Sequence, residues 1–134
     1  MTAESWTLPA GLEAPSVARS LARGFATEND ADEDTVAAVA LCVSEAVANV
    51  VVHAYRNANQ PGDVEIEAHK LNGYLCVYVR DRGQGMTPRL DSPGLGLGLP
   101  VIAESATSLQ VRRTPTGGTE LVMRFDLTDA AATG

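Results

Sequence analysis

Asp81 ends an apolar run and is followed by two glycines, Gly83 and Gly85. A carboxylate at the end of a strand can accept a hydrogen bond from an amino group, and a glycine beside it leaves room for a flat ring. An ordinary Asp-Gly turn uses the same residue types. Taken alone, the segment favours that turn, so its chemistry depends on what surrounds it.

A second glycine run, from Gly94 to Pro100, has the sequence GLGLGLP. Glycines let backbone N–H groups approach phosphate oxygens, and a helix that follows points its positive end at them. No Gly-Lys-Ser/Thr follows, so this is not a Walker loop, and the preceding Asp91-Ser92-Pro93 is no core strand, which disfavours a dinucleotide fold. The alternative is a flexible loop without a ligand.

Glu45, Asn49 and His53 stand four residues apart in an otherwise apolar stretch. Positions i, i+4 and i+8 of a helix share one face. The row of polar groups either lines a cleft or forms a solvated helix face, and helix geometry alone does not decide between them. The apolar stripe of the same helix consists of Val36, Val39, Ala40, Val43, Val47, Val50 and Ala54.

Three helices are predicted around these segments. The first covers about 15–29, and the second begins after a capping Asp32 and runs to about Tyr55. A short third helix covers about 100–105, with Pro100 in its first turn. The apolar residues of the first helix, at four-residue spacing, are Val17, Leu21 and Phe25.

The strand signals favour antiparallel pairing, because they come as neighbouring runs joined by turns. Asn72-Gly73 is a strong hairpin signal, and Gly117-Gly118 before Thr119 marks a second turn. These features predict an α+β two-layer sandwich, with helices covering one face of a mostly antiparallel sheet. The predicted strands are 5–8, 63–68, 75–79, 109–111 and 119–127.

Size and composition favour one domain over residues 1–134, with a core that depends on aliphatic side chains, since only 4% of residues are aromatic. The net charge of -7 disfavours nucleic acid as a partner. Cys42 and Cys76 lie in apolar runs and are predicted to be buried free thiols. No stretch of membrane-spanning length and no signal peptide is expected, which predicts a cytoplasmic protein without a membrane partner.

Taken in order, four motifs resemble the nucleotide-site boxes of the GHKL (Bergerat-fold) ATPase superfamily. They are Glu45-x-x-x-Asn49, Asp81-x-Gly83-x-Gly85, Gly94-Leu-Gly-Leu-Gly98 and Gly117-Gly118-Thr119. The resemblance extends over about 16–127, and the order and spacing of the motifs are more specific than any one of them. Within the superfamily, VSEAVAN followed by HAY is similar to the first box of anti-sigma-factor serine/threonine kinases. Sensor histidine kinases also carry a separate dimerising helix with a phosphorylated histidine, for which this sequence has no counterpart.

This resemblance implies a site for Mg-ATP. Asn49 would bind Mg²⁺ through its carbonyl oxygen, Asp81 would accept from the adenine amino group, and Glu45 would act as general base. His53 would make a structural contact. The remaining nucleotide-binding residues would be Gly83, Gly85, Met86 and Thr119 near the adenine, and Gly94, Gly96, Leu97 and Gly98 around the phosphates.

The resemblance also implies a function: an ATP-dependent kinase that phosphorylates an anti-anti-sigma (STAS-type) regulator and binds a sigma factor, commonly as a homodimer. Two alternatives stay open, a non-catalytic ATP-binding switch and an accessory ATPase that uses water as acceptor. The sequence departs from the family in one place. Ser92-Pro93 stands where a basic residue often precedes the lid glycines, and Arg89 could substitute for it when the lid closes.

Overall fold

The computed structural model describes residues 2–55, 62–83, 98–115 and 117–127. Five strands and three α-helices lie in these ranges, and the second helix continues into a π-helical turn. The predicted order of helices and hairpins is confirmed. The elements are β1 (Thr2–Pro9), α1 (Ala14–Glu28), α2 (Glu33–Asn49), the π-helical turn (Val50–Ala54), β2 (Asp63–Leu71), β3 (Tyr74–Asp81), α3 (Gly98–Ser105), β4 (Ser108–Arg113) and β5 (Thr119–Asp126).

The strands form one sheet in the order β1-β2-β3-β5-β4, and every neighbouring pair is antiparallel. Asn72-Gly73 makes the predicted two-residue turn between β2 and β3, where Gly73 has a φ of +89° that suits glycine. Side chains alternate between a buried and a more exposed face along β2 and β5. On the more exposed face, the Glu67 carboxylate contacts His69 at 2.7 Å and Arg80 at 3.3 Å.

One antiparallel sheet together with three helices confirms the predicted α+β class.

The first helix differs from its prediction in the residues that it buries. Val17 is 42% exposed, so the stripe predicted at four-residue spacing does not define the buried face. Small side chains face inward instead, because alanines allow α1 to pack closely on α2. The buried residues of α1 are Ala14, Ala18, Ala22, Phe25 and Ala26.

The second helix begins as predicted. The Asp32 side chain accepts a hydrogen bond from the Thr35 backbone N–H at 2.7 Å, and so caps the helix. Every residue of the predicted apolar stripe is buried. Cys42 and Cys76 are free and buried, as expected, and aliphatic side chains form most of the core.

The prediction that no stretch reaches membrane-spanning length is wrong. The continuous helical segment Glu33–Ala54 has 22 residues and a mean hydropathy of 2.0 in its most apolar window. Half of that window is buried inside the protein, where the helix packs against α1, α3 and the sheet. A core helix with neighbours on several sides can have the same length and apolar composition as a membrane span.

Candidate functional site

Asn49 occupies a special place in the fold, at the junction of α2 and the π-helical turn. Its side chain is almost fully buried, with 7% exposure, although it is polar. π-helical turns inside α-helices occur frequently at functional sites. The change of helix type also breaks the predicted row of polar groups, because i+4 spacing no longer keeps His53 on the face of Asn49. His53 is half-buried on this wider turn.

Glu45 lies one regular α-helical turn before Asn49, so these two residues share a face as predicted. The Glu45 side chain is half-buried and sits near Cys42. Burial, and secondarily the charge of Glu45, raises the pKa of the Cys42 thiol to about 12. The thiol is therefore protonated and uncharged at neutral pH.

Asp81 is the last residue of β3 and is 2% exposed. Its Oδ1 accepts hydrogen bonds from the backbone N–H groups of Gly83 at 2.8 Å and Thr119 at 3.4 Å. Burial raises the pKa of the carboxyl above its usual value of 3.8, against the opposing effect of these two bonds. Both of these hydrogen bonds go to Oδ1. A carboxylate has two oxygens, and the second can accept a hydrogen bond from a ligand amino group.

Two glycines allow three backbone segments to meet at Asp81. A Cβ on Gly83 would lie 2.1 Å from the carbonyl oxygen of Ala54, at the end of the π-helical turn. A Cβ on Gly118 would lie 1.9 Å from the carbonyl oxygen of Asp81. Both distances are far inside van der Waals contact, so packing alone requires glycine at these positions. Room for a flat ring, the reason inferred from the sequence for Gly83, is not needed to explain it.

From the sequence, Tyr55 has no predicted role beyond the end of the second helix and the last residue of the HAY segment. Its hydroxyl donates to the backbone carbonyl of Asp63 at 2.6 Å and accepts from the backbone N–H of Arg82 at 3.0 Å. It therefore connects the end of the long helix to β2 and β3. The available signal was its position directly after the helix and before a glycine-containing loop.

The structure thus brings Asp81, Gly83 and Thr119 into direct contact, and places the end of the Asn49 helix against them through Ala54. Gly98 is the first residue of α3, and this helix contacts α2 through a 3.9 Å contact between Cys42 Sγ and the Ile102 carbonyl oxygen. The predicted site residues that lie outside the described residues are Gly85, Met86, Gly94, Gly96 and Leu97, together with Arg89.

The chemistry of the donors suits Mg²⁺ held jointly with a phosphate ligand. Across 2–55, 62–83, 98–115 and 117–127, no group of three or more His, Cys, Asp or Glu residues could hold a metal ion. Mg²⁺ commonly uses one or two protein oxygens together with substrate phosphates and waters. The buried amide of Asn49 fits that role, because it offers one oxygen on a rigid helix.

Comparison with known proteins agrees with this geometry. The histidine kinase-like ATPase domain family matches residues 8–125. The chain therefore belongs to the histidine kinase-like ATPase family.

Within that family the chain is similar to a protein named anti-sigma F factor from Caldanaerobacter subterraneus subsp. tengcongensis. The two are 32% identical over 115 residues, which cover 78% of this chain and 79% of that protein. The resemblance inferred from the four motifs is thus confirmed.

Two solved structures show the same fold. The RsbU and RsbW domains of Rv1364c from Mycobacterium tuberculosis match with a TM-score of 0.74 and 22% identity, over 95% of this chain and 33% of that one. This chain therefore spans about a third of that protein. A SiaB–SiaC complex from Pseudomonas aeruginosa matches with a TM-score of 0.62 and 13% identity, over 91% of this chain and 88% of that one.

Proposed function

We propose that this chain is an ATP-dependent protein serine/threonine kinase of the anti-sigma-factor type. The observation that carries the proposal is the buried Asp81 carboxylate, held through one oxygen beside the helix that bears Asn49 and Glu45. Membership of the histidine kinase-like ATPase family and similarity to an anti-sigma F factor support the same assignment.

In the proposed site, Asp81 accepts a hydrogen bond from the adenine amino group, and the Asn49 carbonyl oxygen binds Mg²⁺. Bound Mg²⁺ neutralises charge on the triphosphate. The glycine segment with Gly94, Gly96, Leu97 and Gly98 would contribute backbone N–H groups to phosphate binding, and the start of α3 would supply the positive end of a helix. Gly85 and Met86 complete the adenine side together with Thr119.

Glu45 is the proposed general base. A serine hydroxyl oxygen of the partner attacks the γ-phosphorus, a new O–P bond forms, and the bond to the β-phosphate oxygen breaks as ADP leaves. The hydroxyl proton moves to the Glu45 carboxylate, one helical turn from Asn49. The position of Glu45 on the same face as the metal ligand supports this role.

The proposed protein substrate is a small anti-anti-sigma (STAS-type) regulator, and the proposed second partner is a sigma factor. The name of the relative at 32% identity supports this choice. We further propose that the chain acts in the cytoplasm as a homodimer. The negative net charge of -7 disfavours direct binding of nucleic acid.

A non-catalytic switch is the second candidate, because such a protein also needs an ATP site. It has no use for a carboxylate one turn before the metal ligand, whereas a kinase does. Affinity capture from the native cytoplasm, with and without Mg-ATP, followed by mapping of phosphorylated serines on whatever binds, tests the proposal. The kinase predicts a phosphoserine on a captured small regulator. ATP-dependent capture without phosphorylation favours the switch, and phosphate release without a protein acceptor favours the accessory ATPase.

A further inference from the structure

The backbone N–H of Arg82 lies just beyond the end of a strand ladder. Pairing of β3 ends at Asp81 on the β2 side and at Arg80 on the β5 side. Arg82 is an exposed residue, and its backbone N–H lies beyond both ladders. Its acceptor is the Tyr55 hydroxyl, at 3.0 Å.

The position of the Tyr55 hydroxyl is itself fixed from two sides. It donates to the Asp63 carbonyl oxygen at 2.6 Å, at the first residue of β2. The ring lies against Gly62, where a Cβ would be 2.6 Å from the Cε1 and Cζ atoms of the ring. Burial raises the pKa of Tyr55, so the hydroxyl keeps its proton and can donate at neutral pH.

The peptide between Asp81 and Arg82 is consequently held on both sides. Its N–H donates to Tyr55, and its carbonyl oxygen contacts Gly118 so closely that no side chain fits there. The residue that this peptide orients is Asp81, whose carboxylate points Oδ1 at two backbone N–H groups. A shift of the peptide would therefore move the other carboxylate oxygen as well.

We propose that Tyr55 is a positioning residue of the nucleotide site: its hydroxyl replaces the missing strand partner of Arg82 and thereby sets the Asp81 carboxylate toward the adenine amino group. Because Tyr55 follows the π-helical turn directly, the same contact ties the adenine acceptor to the helix that carries Asn49. This inference rests on the proposed ATP site and adds a residue to it.

The test uses Tyr55→Phe, with Tyr74→Phe as the matched control. Tyr74 lies at the opposite end of β3, where it packs against Arg124. Calorimetry measures the affinity for ATP and for inosine triphosphate, which has an oxygen in place of the amino group. Tyr55→Phe should weaken ATP binding about three- to tenfold, the effect of one lost hydrogen bond, and leave inosine triphosphate binding nearly unchanged. The control should match wild type for both nucleotides.

A positioning role predicts two further results that general destabilisation does not. The effects of Tyr55→Phe and Asp81→Asn on ATP affinity should not add, because the first acts through the second. Amide hydrogen exchange without nucleotide should speed up at Arg82 in Tyr55→Phe, and not in Tyr74→Phe. Gly62→Ala, which crowds the ring but keeps the hydroxyl, should lower the ATP-to-inosine preference like Tyr55→Phe, while the unobstructed Gly24→Ala should not.

The outcomes separate this inference from the proposed function. If wild type binds ATP and Tyr55→Phe keeps the wild-type preference for ATP over inosine triphosphate, Tyr55 does not position Asp81. Additive effects of Tyr55→Phe and Asp81→Asn would overturn the inference in the same way. If wild type binds no adenine nucleotide at all, the proposed ATP site is wrong and the role of Tyr55 is wrong with it.

Discussion

At the scale of single residues, the proposed nucleotide site depends most on Asp81. A carboxylate at 2% exposure is expensive to keep, and two backbone N–H groups on one of its oxygens offset only part of that cost. Sequence reasoning could find Asp81, because an Asp at a strand end before glycines is a visible pattern. It could not find the Tyr55 contact, since a bond between residues 55 and 82 depends on tertiary packing.

Asp81→Asn tests the adenine contact. The variant keeps the shape of the side chain but loses the charge, so ATP affinity should fall by about 1.5–3 kcal/mol, the range for hydrogen bonds that involve a charged group. Affinity for GTP, which presents a carbonyl oxygen at the corresponding position, should change far less. Isothermal titration calorimetry with both nucleotides gives the answer. Equal wild-type affinities for ATP and GTP would contradict the adenine assignment.

The same substitution should also change how the stability of the nucleotide-free protein depends on pH. Burial raises the folded-state pKa of Asp81 above 3.8, so the folded state holds this proton more tightly than the unfolded state. The contribution of Asp81 to stability is therefore full below the unfolded pKa and is lost as pH rises through the folded pKa. The free energy of unfolding of Asp81→Asn, relative to that of wild type, should therefore increase as the pH rises from about 4 to about 7. Urea unfolding at both pH values measures this, and a constant difference between the proteins would contradict it.

At the scale of elements, local signals predicted most of what the structure shows. The Asp32 cap, the Asn72-Gly73 turn and the alternation along β2 depend on neighbours in sequence, and all are present. Two features were not predictable in this way. The π-helical turn after Asn49 has no pattern of its own in an apolar run, and the alanine face of α1 follows from how closely α2 approaches.

Gly118→Ala tests the close packing of the β4–β5 turn on the end of β3. The added Cβ would meet the Asp81 carbonyl carbon and oxygen, which cannot rotate away, so the backbone must shift. We expect a loss of about 1–3 kcal/mol in the free energy of unfolding, typical of overpacking. Gly24→Ala, in α1 with nothing within 4 Å, should gain up to about 1 kcal/mol. Denaturant unfolding of both variants measures this, and equal stabilities would show that the turn is not tightly packed.

At the scale of the whole molecule, the fold was predictable because three independent patterns agreed: adjacent strand runs, one long helix, and four motifs in a fixed order, three of which contain glycine. The described part of the site joins Asp81, Gly83 and Thr119, residues separated by up to 38 positions in sequence. From the sequence, these three residues could be assigned to one site only because their motifs resemble those of a known family. No spacing rule would have done so, since the contact depends on β3 and β5 being neighbours in the sheet.

The measurement that tests the kinase proposal most directly is single-turnover transfer of the γ-phosphate from labelled ATP to the captured regulator. Wild type should transfer phosphate to a serine, and Glu45→Gln should do so at least about a hundredfold more slowly while binding Mg-ATP equally well. Asn49→Ala should lose both binding and transfer, and Glu28→Gln, which removes an exposed carboxylate of α1, should match wild type. Transfer by Glu45→Gln at the wild-type rate would contradict the assignment of the base. The absence of any transfer by wild type, with ATP-dependent binding intact, would contradict the kinase itself.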